Sequence, residues 1–103
     1  MTEPTFEELV EKFNIVSCTL AVDEFNYPQL EIKMRMNWDD HESDFYAALQ
    51  RVEIKDGCIL NGAYGNGATP EEAMRDYYKK IADKRLVYRA MNKEYRRECV
   101  VVE

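Results

Sequence analysis

The residues able to do chemistry are few. His41 is the only histidine, and it sits among Asp39, Asp40, Glu42 and Asp44, a grouping that would suit a divalent cation or a general base if its carboxylates converged. The run has neither the D-x-D-x-D-G spacing of a calcium loop nor a second histidine for zinc, so no metal is expected. Cys18, Cys58 and Cys99 are an odd number spaced about forty residues apart, with no C-x-x-C, and all three lie in apolar, strand-like runs that read as buried thiols. Cys58 and His41 would need spatial adjacency to act as nucleophile and base, and Ile59 and Leu60 beside the cysteine argue for burial. Ser17 and Ser43 are the only serines, and neither stands in a nucleophile motif. The expectation is a protein with no catalytic residue, no metal and no cofactor: not an enzyme.

The stretch from Gly62 to Ala73, GAYGNGATPEEA, raises the question of phosphate binding. A P-loop needs Gly-Lys-Ser/Thr at the helix start, and a dinucleotide fingerprint needs a third glycine that is missing after Gly65-x-Gly67. Glu71 and Glu72 would also set two negative charges where the anion would lie. The glycines read instead as a flexible strand-to-helix turn that allows positive backbone angles.

Charge is unevenly placed along the chain. Residues 1–44 hold eleven carboxylates against Lys12, Lys33 and Arg35, a net of −8, whereas residues 45–103 hold eleven basic and nine acidic groups, a net of +2. Two candidate surfaces follow. Asp39, Asp40, Glu42 and Asp44, with Asp23 and Glu24, form an acidic set suited to a basic partner. Lys79, Lys80, Lys84, Arg85, Arg89, Arg96 and Arg97, interleaved with Tyr77, Tyr78, Tyr88 and Tyr95, form the alternative, the mixture that attracts phosphates and stacks bases.

The elements that must position these residues are short and well punctuated. At 103 residues, 46% hydrophobic and 33% charged, the chain suits one domain, residues 1–103, with one core. Thr5 and Glu8 make a capping box, and Phe6, Leu9, Val10 and Phe13 follow at helical spacing, which predicts a helix over about 5–13. From Ile15 a period of two, with Val16, Cys18, Leu20 and Val22 on one face, predicts a strand. Leu30, Ile32, Met34, Met36 and Trp38 predict a second strand whose apolar face meets the core. Phe45 to Arg51 fits a strand or a helical turn, and Asp56-Gly57 is a strong hairpin signal, returning through Cys58 to Tyr64. Thr69, Pro70 and Glu72 open a helix over 70–82 with the apolar stripe Ala73, Met74, Tyr77, Tyr78 and Ile81. Leu86 to Met91 and Tyr95 to Val102 suggest two further strands. The expected fold is α+β: an antiparallel sheet of four to six strands with both helices packed on one face. No apolar run approaches the roughly 20 residues that span a bilayer, and Met1-Thr2-Glu3-Pro4 lacks the plan of a secretion signal, so a soluble intracellular protein is expected.

Two resemblances bear on function. Asp56-Gly57-Cys58-Ile59 followed by Gly67-Ala68-Thr69-Pro70-Glu71-Glu72-Ala73 resembles the strand, glycine turn and T-x-E-E-A helix of HicB-type antitoxin domains, with a longer Asn61 to Asn66 insert. The run from Gly65 through Ala73-Met74-Arg75-Asp76-Tyr77 and Lys84-Arg85-Leu86-Val87-Tyr88 to Arg96-Arg97-Glu98 resembles a group of small bacteriophage proteins sharing a G-x-G-x-T-x-E-E-A helix and an R-R-E strand. The second resemblance implies a viral chain acting in the cytoplasm of a bacterial host cell, with no enzymatic activity. Its expected role is to bind a host protein, such as a nuclease or defence effector, through an acidic surface that imitates nucleic-acid phosphates. The alternatives are a HicB-like antitoxin or structural accessory protein, and single-stranded nucleic-acid binding through the basic stretch; association with a second copy is compatible with each.

Overall fold

The computed structural model describes residues 3–34 and 45–102. Helix α1, Phe6–Leu20, starts on the predicted capping box: Glu8 N donates to Thr5 Oγ1 at 3.2 Å, and Thr5 N donates to Glu8 Oε1 at 3.4 Å. It then runs past the predicted end at Phe13 and takes up the segment from Ile15 to Leu20 that reads as a strand. Leu9, Phe13, Val16 and Leu20 are all buried, at intervals of four, three and four residues. Val16 and Leu20 belong to both periodicities, and burial of the helical stripe against the rest of the core outweighs the strand preference of the β-branched run. Ile15, which a core strand would shelter from its flank, is 57% exposed.

Past Leu20 the Asp23 carboxylate closes a tight loop. Its Oδ1 accepts from the amides of Phe25 and Asn26, both at 2.8 Å, and Val22 N donates to Asn26 O at 2.8 Å. Strand β1, Leu30–Met34, pairs antiparallel with β2, Phe45–Leu49, setting Leu30 opposite Leu49 and Met34 opposite Phe45. Phe45 to Leu49 is therefore strand. The chain turns at Gln50 and Arg51, the latter at φ 59°, into β3, Val52–Asp56, which belongs to a different sheet.

The Asp56-Gly57 hairpin forms as expected between β3 and β4, Ile59–Gly62, with Asp56 opposite Ile59. The positive φ, 62°, falls on Gly57, the first of the two loop residues, where a II′ turn requires it. The chain then leaves this sheet, and β5, Gly65–Gly67, pairs with the other side of β2. Helix α2, Pro70–Ile81, is followed by β6, Arg85–Tyr88, and β7, Arg97–Val100. The strands make two antiparallel sheets, ordered β1-β2-β5 and β4-β3-β6-β7, where one sheet of four to six strands was expected. The α+β class and single-domain organisation hold, and the difference lies at the Gln50–Arg51 corner, which divides the strands between two sheets.

The glycines of the strand-to-helix passage serve a different purpose from the one predicted. Gly57 is the glycine with a positive φ; Gly65 and Gly67 lie in extended β5. A β-carbon on Gly65 would run into the Ala73 carbonyl oxygen and the Tyr77 backbone, and one on Gly67 would lie 2.5 Å from Ala73 N. The strand thus rests directly on the α2 backbone, an approach that only glycine permits. Asp76 Oδ2 accepts from Asn66 N at 2.8 Å and ties the two elements together.

One core joins the layers. Leu9, Phe13, Val16 and Leu20 of α1 meet Ala73, Met74, Tyr77, Tyr78 and Ile81 of α2, together with Ala47, Leu49, Val52, Leu86, Tyr88 and Val101. The Phe13 ring stacks on Tyr77 at 5.8 Å and meets Tyr78 edge-on at 6.2 Å. The predicted α2 stripe is thus buried in full. The predicted β1 face is not: Leu30 is half-buried, whereas Ile32 is 39% and Met34 65% exposed, because α2 lies over β5 and β2 and leaves the outer strand overhanging. Met36 and Trp38 lie outside the described residues. The cysteines also depart from expectation, with Cys18 and Cys58 exposed and Cys99 only partly buried.

Candidate functional site

Of the acidic candidates, Asp39, Asp40, Glu42 and Asp44 lie outside the described residues, as does His41. The two that are described differ. Asp23 holds its own loop together. Besides the Phe25 and Asn26 amides it accepts from the Asn26 side chain at 3.0 Å, and these bonds, the Asn26 side chain first, hold its carboxyl below the usual aspartate range. Glu24, the next residue, is exposed. Glu7 and Glu11 on α1 are exposed as well, and no described cation lies within ion-pair distance of either.

Most of the basic candidates are engaged within the fold. Lys79 Nζ lies 2.7 Å from Glu3, whose carboxyl is held low chiefly by the hydrogen bond from that lysine. Lys80 Nζ lies 3.1 Å from Asp76 and donates to Tyr64 O at 2.9 Å. Arg85 and Arg96 converge on Glu98 at 3.7 and 3.2 Å, joined by Lys55 at 3.8 Å. Arg89 lies over the Tyr88 ring at 5.4 Å and the Tyr95 ring at 5.7 Å, and its Nη2 donates to Asn26 Oδ1 at 3.2 Å. Arg97 donates to the carbonyls of Glu94 and Arg96. Lys84 is exposed and pairs with no described carboxylate. Of the interleaved tyrosines, Tyr77, Tyr78 and Tyr88 are core residues 1–4% exposed, so their rings are turned away from any nucleic acid, and Tyr95 is half-buried.

Two features were not anticipated. On the outer face of the three-stranded sheet Tyr46, Ala48, Gly62, Ala63 and Tyr64 line an open hollow of about 480 Å³, with the Tyr46 and Tyr64 rings edge-on at 6.3 Å. Its signal was the alternation of Tyr46 and Ala48 with Phe45, Ala47 and Leu49, legible only once that segment is known to be strand. At the corner between sheets, Arg51 and Arg89 both adopt positive φ, 59° and 51°, and Arg89 N donates to Arg51 O at 3.0 Å. No sequence signal marks two arginines for the left-handed region.

For covalent chemistry the described residues offer little convergence. Cys58 is exposed at the hairpin, and burial pushes the Cys99 thiol up, away from the thiolate. No group of three or more His, Cys, Asp and Glu gathers among the described residues to hold a metal ion. No described helix is long and apolar enough to cross a membrane. Compared with known protein families, curated proteins and solved structures, the chain matches none.

Proposed function

We propose that this chain is a non-enzymatic binding protein whose acidic N-terminal half docks on a basic surface of a partner protein. The observation that carries this reading is the uneven use of charge. Lys79, Lys80, Arg85 and Arg96 are taken up in surface ion pairs with carboxylates of the same chain, while Glu7, Glu11 and Glu24, on the half of the sequence that carries a net of −8, are exposed with no described cation in ion-pair distance. Exposed carboxylates with no described cation partner steer a cationic surface toward them and lose that advantage as salt screens them beyond about 8 Å. The resemblance of residues 65–98 to small bacteriophage proteins gives the partner its source: a host nuclease or defence effector whose nucleic-acid groove an acidic face imitates.

The test uses two neutralised variants, Asp39→Asn/Asp40→Asn/Asp44→Asn and Glu7→Gln/Glu11→Gln/Glu24→Gln, against a partner captured from bacterial lysate and identified by mass spectrometry. Association at low salt should slow by about tenfold in at least one variant, with dissociation little changed. Rate constants unchanged in both variants at low and high salt would exclude the acidic half and turn attention to the cationic corner at Arg51 and Arg89.

A further inference from the structure

Strand β1 carries an edge that no described group covers. Gln50 N donates to Gln29 O at 2.9 Å in the same register that sets Leu30 opposite Leu49. That bond settles the alternation of the ladder: Gln29, Glu31 and Lys33 turn their main-chain groups toward β2, and Leu30, Ile32 and Met34 turn theirs outward. β1 is the terminal strand of its sheet, and among the described residues no backbone or side-chain bond reaches those outward groups. Beside the edge, Ile32 and Met34 leave an apolar strip 39% and 65% exposed. On the opposite face Lys33 Nζ lies 2.6 Å from Glu31.

Soluble proteins usually blunt such an edge with proline, a bulge, inward charge or charged side chains, lysine above all. The segment Leu30-Glu31-Ile32-Lys33-Met34 has no proline, and its one lysine, Lys33, is matched by Glu31, so the segment is self-complementary. Turned about a two-fold axis at Ile32, the strand meets its own copy antiparallel, with Ile32 opposite Ile32, Leu30 opposite Met34 and Glu31 opposite Lys33. The outward groups of Leu30, Ile32 and Met34 then meet one another as hydrogen-bonded pairs. Apolar side chains oppose apolar ones on one face, and on the other each glutamate opposes a lysine. Sliding the copy by two residues in either direction sets Glu31 against Glu31 or Lys33 against Lys33, so charge selects a single register. We propose that the protein forms a two-fold dimer through β1, joining two three-stranded sheets into one continuous antiparallel sheet.

The full chain should sediment as a dimer that dissociates on dilution. Ile32→Pro removes an outward N–H, a loss tolerated at a sheet edge, together with the side chain at the two-fold axis, and should yield a monomer with unchanged far-UV circular dichroism. Lys33→Glu and Glu31→Lys each place like charges opposite one another and should each weaken the dimer by about tenfold or more. Their equimolar mixture should recover it, because an all-glutamate edge then meets an all-lysine edge; this arm stands even if the proline variant fails to fold. The proposal is overturned by a wild-type chain that stays monomeric at concentrations on the order of 0.5 mM. It is equally overturned by a dimer that survives the proline and both charge variants, or by charge variants that dissociate and do not recover on mixing.

Discussion

Single atoms decide several outcomes in this protein. Gly65 and Gly62 are both strand glycines, but a β-carbon on Gly65 meets the α2 backbone, which cannot give way, and one on Gly62 meets nothing within 4 Å. Gly65→Ala should therefore destabilise the fold by about 1–3 kcal/mol or more, whereas Gly62→Ala should fall within about 0.5 kcal/mol of wild type in urea denaturation. The Tyr78 hydroxyl is buried with no hydrogen-bond partner among the described residues, so Tyr78→Phe should leave stability unchanged or raise it by about 1 kcal/mol, read as a higher Tm. Asp76 shows opposed influences. Desolvation, the largest, pushes its carboxyl up, but the Asn66 amide and Lys80 together bring it below the ordinary value of 3.8. A lowered folded-state value means that its contribution is complete above about 3.8 and is lost as pH falls through the folded value. Asp76→Asn should flatten that part of the acid unfolding curve.

At the level of elements, the continuation of α1 through Leu20 can be tested without a structure. A helix buries Leu20 and exposes Cys18, and a strand would bury Val16, Cys18 and Leu20 together. Leu20→Ala should cost about 2–5 kcal/mol, and the native Cys18 thiol should react with a maleimide without prior unfolding. The overhang of β1 has a matching consequence: Ile32→Ala, which would carve a cavity if the strand lay wholly beneath α2, should cost about 1 kcal/mol or less at a side chain already 39% exposed.

Across the whole molecule, the balance of charge is a matter of geometry more than of totals. The net of −6 conceals a basic C-terminal half whose cations are largely turned onto neighbouring carboxylates and rings. The N-terminal segment is tied to α2 twice: Arg75 donates to Pro4 O from Nε at 3.3 Å and from Nη2 at 3.1 Å, and an ionic link sets Glu3 2.7 Å from Lys79 and 3.6 Å from Arg75. Because Glu3 and Lys79 are exposed, the link should be weak and salt-sensitive. Glu3→Gln should lower Tm only slightly at low ionic strength, and the difference should vanish in high salt.

Local chemistry alone determined much of this protein. Thr5 and Thr69 with their partners place both helix starts, Asp56-Gly57 places its hairpin, and the stripe from Ala73 to Ile81 identifies the buried face of α2, because caps, tight turns and helical periodicity are set by residues within a few positions of one another. Tertiary structure decided the rest. Val16 and Leu20 fit two periodicities, and only the partners they bury against choose the helix. The apolar side chains of β1 alternate as a core strand should, yet the reach of α2 leaves Ile32 and Met34 outside. Gly65 and Gly67 announce conformational freedom in the sequence and turn out to mark contact with a helix backbone. The basic, tyrosine-rich stretch reads as one surface, and the fold turns three of its rings into the core and most of its cations onto local acceptors. In each case the deciding partner lies outside the local pattern, in an element that the pattern cannot name.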